Sequence, residues 1–206
     1  MTPFPQPLTD IAAPLIVDNV DTDTIIPSRE MRSTGRTGLA DGLFAPLRYT
    51  NADARAENPD FVLNQKQYRS TSILLGGRNF GSGSSREHAV WALIEWGIRC
   101  IIAEDFAPIF RANCVRNGIL PITLPRDAVE SLACERITVD LAARHVIAPS
   151  GTHVFTIDPE AALMLAEGLD AIDLSLTQAP AIADWTAADR AARPWVYLGA
   201  NLEHNT

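Results

Sequence analysis

Ser72-Ile73-Leu74-Leu75-Gly76-Gly77-Arg78-Asn79-Phe80-Gly81-Ser82-Gly83-Ser84-Ser85-Arg86-Glu87-His88-Ala89-Val90-Trp91-Ala92-Leu93-Ile94 runs from a short apolar segment through a glycine- and serine-rich turn into a long apolar helical pattern. It reads as strand, turn and helix. Ser84 and Glu87 stand three apart just before the apolar run, the spacing of a capping box: a hydroxyl accepts from a backbone N–H and a carboxylate reaches back. The spacing predicts a helix from about Ser85. Its first turn would leave unpaired N–H groups at the positive end of the macrodipole. Gly81 and Gly83 would let another group approach the backbone, and Arg86 adds a planar, permanently charged fork suited to carboxylates. The stretch is thus a candidate anion site with hydroxyls beside it. Turn and cap requirements alone also account for glycine and serine here. A dinucleotide fingerprint needs glycine where Arg86 stands, a phosphate loop needs Gly-Lys-Ser/Thr, and a nucleophile elbow needs a closing glycine where Glu87 stands.

Outward from this turn, Ile98-Arg99-Cys100-Ile101-Ile102-Ala103 and Gly118-Ile119-Leu120-Pro121-Ile122-Thr123-Leu124 read as further strands, with Asp105 expected to cap a helix over 106–113. Strand, helix, strand, helix, strand argues for parallel pairing in an α/β layer. After an expected helix over 127–134, segments 137–141, 145–147 and 153–157 read as a small β meander. Asp158-Pro159 opens a helix running to Gly168, and another is expected over 180–192, with a frayed tail from about 199. Towards the N-terminus, a strand is expected over 13–17. Asp18, Asp21 and Asp23 lack the glycine and distal glutamate of a calcium loop, which leaves Asx-turn and cap chemistry. Residues 27–64 read as a long loop with one helical turn, carrying Arg29, Arg32, Arg36 and Arg48. The whole chain, 1–206, is expected to be one domain.

Composition narrows the function. Apolar residues make up 47 % and charged residues 20 % of the 206, with no run of membrane length. The N-terminus lacks a basic region and an apolar signal core, so a cytoplasmic location is expected. A net charge of −8 with Lys66 as the single lysine disfavours nucleic acid. Cys100, Cys114 and Cys134 have neither disulfide nor metal-site spacing. His145, His153 and His204 have no partner at metal-ligand spacing, and His88 lacks the third group of a hydrolase triad.

Asn79-Phe80-Gly81-Ser82-Gly83-Ser84-Ser85-Arg86-Glu87-His88-Ala89 resembles the signature of the swivelling domain of the aconitase superfamily. Asn19-Val20-Asp21-Thr22-Asp23-Thr24-Ile25-Ile26-Pro27, Arg36-Thr37-Gly38 and Asn58-Pro59-Asp60-Phe61-Val62-Leu63-Asn64 resemble three further motifs of that family, in order. The chain's length resembles the separate small subunits of its two-chain hydro-lyases. The resemblance implies a swivelling β/β/α three-layer fold. It also implies a large partner subunit, in a heterodimer or heterotetramer, that carries a 4Fe-4S cluster while this chain binds no cofactor. Ser84 is implied as the catalytic base and Arg86 as the residue holding a substrate carboxylate. Ser85 is implied to line the site, and Thr22 with Asp23 to face the partner's catalytic groups. Arg36 is a further candidate for a substrate carboxylate, and His88 for an interface or supporting position. The implied substrate is a small 2-hydroxy diacid, and the implied reaction interconverts 2- and 3-isopropylmalate by dehydration and rehydration in leucine biosynthesis. Pro27-Ser28-Arg29-Glu30-Met31-Arg32 departs from the apolar pair that the family carries there. Homoaconitate, citraconate with 2-methylmalate, and maleate therefore stand as alternative substrates. A stand-alone ligand-binding or regulatory module is the non-enzymatic alternative.

Overall fold

A computed structural model describes residues 1–31, 35–51 and 54–197. They fall into two compact units, which divide between Leu169 and Asp170. The first unit opens with β1 (Leu8–Ile11), β2 (Ala13–Leu15) and the short helix α1 (Thr22–Ile25), followed by α2 (Ala45–Arg48) and the β3 (Tyr49–Asn51) and β4 (Ala56–Glu57) ribbon. The alternating part follows: β5 (Ile73–Gly76), α3 (His88–Trp96), β6 (Cys100–Ala103), α4 (Pro108–Asn117), β7 (Leu120–Thr123) and α5 (Arg126–Ser131). A meander of β8 (Arg136–Asp140), β9 (His145–Ala148) and β10 (Gly151–Val154) leads into α6 (Pro159–Glu167).

Strand periodicity builds three layers. β2, β5, β6 and β7 form one parallel sheet in that order, with Leu74 opposite Ile101 and Ile102 opposite Ile122. Side chains alternate between its faces. Leu74 and Ile101 face a core with Ala89, Val90 and Leu93 of α3, whereas Ile73, Leu75, Ile102 and Ile122 face Ile137, Val139 and Val146 of the antiparallel sheet β1-β8-β9-β10. Each such side chain, fully removed from water, stabilises the stack by about 1.5–3 kcal/mol. The layers are therefore helix, parallel sheet and antiparallel sheet, the expected β/β/α arrangement.

Some local readings are corrected. β1 pairs with β8 through Thr9 opposite Thr138 and was not expected, because Leu8-Thr9-Asp10-Ile11 carries little alternation of its own. α4 begins at Pro108 after Ala107, while Asp105 accepts from the Asn79 N–H instead of capping it. The described residues of 27–64 hold α2, the β3–β4 ribbon and three 3-10 turns, where a long loop was expected. Arg48 of this stretch is buried, sandwiched between the rings of Tyr49 and Trp96 at 4.9 and 4.4 Å. α6 starts as expected, with the Asp158 side chain accepting from the Glu160 and Ala161 N–H groups.

The second unit contains α7 (Ala171–Leu176), started by a reciprocal Asp170–Asp173 capping box, and α8 (Ala179–Ala192). Arg193 and Tyr197 both bind Asp189 at its end. The expected tail from about 199 lies outside the described residues. No helix among the described residues is long and apolar enough to cross a membrane.

Candidate active site

The site lies beyond the carboxyl ends of β2 and β5, where open α/β sheets commonly bind ligands. The two strands are parallel neighbours, and their extensions continue side by side. The Asn19 N–H donates to the Arg78 carbonyl at 2.8 Å, the Gly81 N–H to the Val20 carbonyl at 2.7 Å, and the Thr22 N–H to the Ser82 carbonyl at 2.8 Å. Sequence segments 19–27 and 79–89 thereby meet.

Gly81 and Gly83 are both left-handed, with φ of 80° and 95°. A Cβ on Gly81 would lie 2.1 Å from Phe110 Cγ, and one on Gly83 would lie 3.2 Å from the Thr22 hydroxyl. These glycines therefore admit parts of the chain itself, a phenyl ring and a threonine, where the sequence suggested room for an outside ligand.

The capping box is not formed. α3 begins at His88, Glu87 occupies the cap position in helical geometry without a side-chain cap bond, and Ser84, Ser85 and Arg86 precede the helix. Tertiary partners outcompete the local cap. The Ser84 N–H donates to Thr22 Oγ1 at 3.1 Å, the two hydroxyls lie 3.3 Å apart, and the Glu87 carboxylate accepts from Asn117 Nδ2 at 3.3 Å. Thr22 is buried and Ser84 exposed, so a fixed hydroxyl supports a solvent-facing one.

Arg86 grips Asp23 at two points, Nη1 to Oδ1 at 2.5 Å and Nη2 to Oδ2 at 3.0 Å, and also reaches Ser28 Oγ at 3.3 Å. The hydrogen bond from Arg86 holds the Asp23 carboxyl below its usual range, and Asp23 in turn raises Arg86. Parallel N–H groups on a planar fork are the geometry that recognises carboxylates. Thr22, Asp23, Ser84 and Arg86 are thus brought into one cluster. The Thr22 hydroxyl beside Ser84 is too weak a base to take its proton.

The other expected residues lie along the start of α3. The Ser85 carbonyl accepts from Asn113 Nδ2 at 3.4 Å. His88 packs on Trp91 at 4.7 Å between ring centroids, and the Arg36 guanidinium lies over the same indole at 5.0 Å. Trp91 is held by its Nε1–H donating to Asn117 Oδ1 at 3.0 Å. Asn113 and Asn117 of α4 therefore brace the loop and the first turn of α3, a role without local sequence signal.

The cysteines do not fit a shared metal cluster. Cys100 faces the core between the two sheets, Cys114 faces the core under the helices, and Cys134 is exposed. The parallel sheet separates the first two, and burial pushes both thiols well above their ordinary range, against the thiolate form that ligation needs. Among the described residues no group of three or more His, Cys, Asp or Glu side chains converges on a possible metal position.

A family model of the aconitase C-terminal domain matches residues 6–127. The three layers and the serine–arginine turn are thus those of an aconitase-type swivelling domain. The chain is 52 % identical over 197 residues to the 3-isopropylmalate dehydratase small subunit of Cupriavidus necator, covering 91 % of this chain and 95 % of that one. It is 50 % identical over 196 residues to the protein of the same name from Rhodospirillum centenum, covering 91 % and 96 %. The crystal structure of 3-isopropylmalate dehydratase from Methanocaldococcus jannaschii matches with a TM-score of 0.67 at 27 % identity, covering 88 % of this chain and 99 % of that one. The chain belongs to the family of 3-isopropylmalate dehydratase small subunits.

Proposed function

We propose that this chain is the small subunit of a cytoplasmic two-chain hydro-lyase that interconverts 2- and 3-isopropylmalate by dehydration and rehydration, in leucine biosynthesis. Dehydration removes a proton from one carbon and hydroxide from its neighbour, and rehydration returns them with positions exchanged. Ser84 Oγ takes the proton and later gives it back. Arg86 holds one substrate carboxylate and Arg36 another, Ser85 lines the pocket, and Thr22 keeps Ser84 oriented. Asp23 and His88 support this constellation at the border with the large subunit. The large subunit would hold a 4Fe-4S cluster, which when bound would supply Lewis acidity for the departing hydroxide; Cys100 and Cys114 of this chain lie in separate cores and do not converge on one. The Arg86 grip on Asp23 carries the reading, since there the guanidinium already binds a carboxylate at two points next to an exposed, braced serine hydroxyl.

The test is anaerobic mixing of the purified chain with a cluster-loaded large subunit. Formation of the unsaturated diacid from 3-isopropylmalate is expected only with both chains present. Turnover should fall at least about 10³-fold with Ser84→Ala if the serine is the base, while subunit binding persists. Equal turnover of 2-methylmalate, homoaconitate or maleate by the same pair would move the substrate assignment. Turnover by this chain alone would remove the two-chain reading.

A further inference from the structure

Three consecutive backbone N–H groups, of Gly38, Leu39 and Ala40, converge on the carboxylate of Glu95, at 2.6 Å to Oε1 and 2.5 and 3.0 Å to Oε2. The carbonyls of the same loop are met from the other side. Arg48 Nη1 donates to the Ala40 and Leu43 carbonyls at 2.8 and 3.3 Å, while the Tyr49 hydroxyl and Arg55 Nη1 donate to the Asp41 carbonyl at 3.1 and 3.2 Å. Leu39 is buried in the core beside the α3 residues Val90 and Leu93. An irregular loop normally leaves its backbone to water, so charged side chains on both its donors and its acceptors hold this one in a single course.

Glu95 stands one turn after Trp91 on α3, and residues so spaced share a helix face. The carboxylate therefore fastens 38–40 to the face on which Arg36, two residues before the clamp, stacks over Trp91. Partial desolvation works against charge on the exposed Glu95, but the three N–H donors outweigh it and hold the carboxyl below its usual range. The clamp therefore stays charged at neutral pH.

We infer that Glu95 is a positioning residue for substrate recognition: it fixes the backbone at 38–40 so that the Arg36 guanidinium is held over Trp91 at the first turn of α3. Glu95 itself does not contact the diacid. The inference rests on the reading above in which Arg36 meets a substrate carboxylate.

The experiment is steady-state kinetics of the assembled two-chain enzyme with 3-isopropylmalate, using Glu95→Gln, Arg36→Ala and the double variant. Glutamine turns an NH2 group towards backbone donors, so Glu95→Gln should raise KM about 10-fold with kcat within about twofold. Arg36→Ala should raise KM at least as much. In the Arg36→Ala background, Glu95→Gln should add less than about twofold, because its effect passes through Arg36. Amide exchange at Leu39 and Ala40 should speed up in Glu95→Gln without change across β5 and β6. An unchanged KM in Glu95→Gln, or KM effects that multiply in the double variant, would overturn the inference alone. An unchanged KM in Arg36→Ala would instead remove the underlying Arg36 role, and the inference with it. If Glu95→Gln does not assemble, Glu95→Asp decides: a shorter carboxylate cannot span all three donors and should give an intermediate rise in KM, whereas a wild-type KM would overturn the inference.

Discussion

The guanidinium of Arg86 and the carboxylate of Asp23 meet in a two-point grip, with separations of 2.5 and 3.0 Å, between two segments that the parallel pairing of β2 and β5 brings together. The Asp23 side chain is 57 % exposed, so the pair adds only about 0–1 kcal/mol to stability. Its value is directional, because Asp23 fixes the plane of the guanidinium at the site, where a substrate carboxylate would share or replace that grip. Arg86→Lys keeps the charge but loses the fork. Thermal midpoint should hardly move while kcat/KM falls about 10- to 100-fold, as read by melting and steady-state rates on one preparation.

Thr22 braces Ser84 from a buried position. Thr22→Val removes the acceptor of the Ser84 N–H and should cost about 1–2 kcal/mol in urea unfolding, together with a drop in kcat. Thr22→Ser retains the hydroxyl and should recover most of both. A valine variant with wild-type kcat would show that Ser84 needs no such support.

Gly81→Ala should be the most damaging small substitution in the turn. The added methyl meets the Phe110 ring at 2.1 Å and the backbone is left-handed at φ 80°. Overpacking and strain together should cost about 2–4 kcal/mol. Gly97→Ala serves as the control, since its Cβ would meet nothing within 4 Å although its φ is 114°, so only the backbone strain should appear.

Acid stability follows from depressed carboxyls. Asp18 is lowered by the Arg78 N–H and by Arg126, Asp23 by Arg86, and Glu95 by the N–H groups of the 38–40 loop against partial desolvation. Their folded values lie below the ordinary 3.8 of Asp and 4.5 of Glu, so the unfolded chain binds more protons in between. Their contribution is present above those ordinary values and is lost as pH falls through the folded ones. Urea midpoints measured from pH 7 down to about pH 2 should drop mainly below pH 4.5. Asp18→Asn should lower the neutral plateau and flatten part of that drop.

The parallel layer was legible because strand–helix repetition implies parallel pairing, whereas the three-layer stack was implied only by the family resemblance, since the continuous apolar run Ile73-Leu74-Leu75 does not reveal in sequence that its side chains serve two cores. The serine–arginine motif and the Asp21–Asp23 motif were each visible, and a strand neighbourhood sufficed to join them. Ser84 and Glu87 were misread because local spacing cannot reveal that Thr22 and Asn117 take their hydrogen bonds. Glu95 had no signal at all: on the helix it is one polar residue on an apolar surface, and its three donors come from a distant loop. Arg48 had no sequence signal of burial within the expected loop, yet two rings and two carbonyls enclose it.

Turnover of 3-isopropylmalate by the assembled pair, with wild-type and Ser84→Ala small subunits, tests the central claim most directly. Ser84 is exposed and caps no helix, so the variant should melt within about 0.5 kcal/mol of wild type and bind the large subunit equally. Its kcat should nevertheless fall at least about 10³-fold. Near wild-type turnover by a well-assembled Ser84→Ala enzyme would contradict the account.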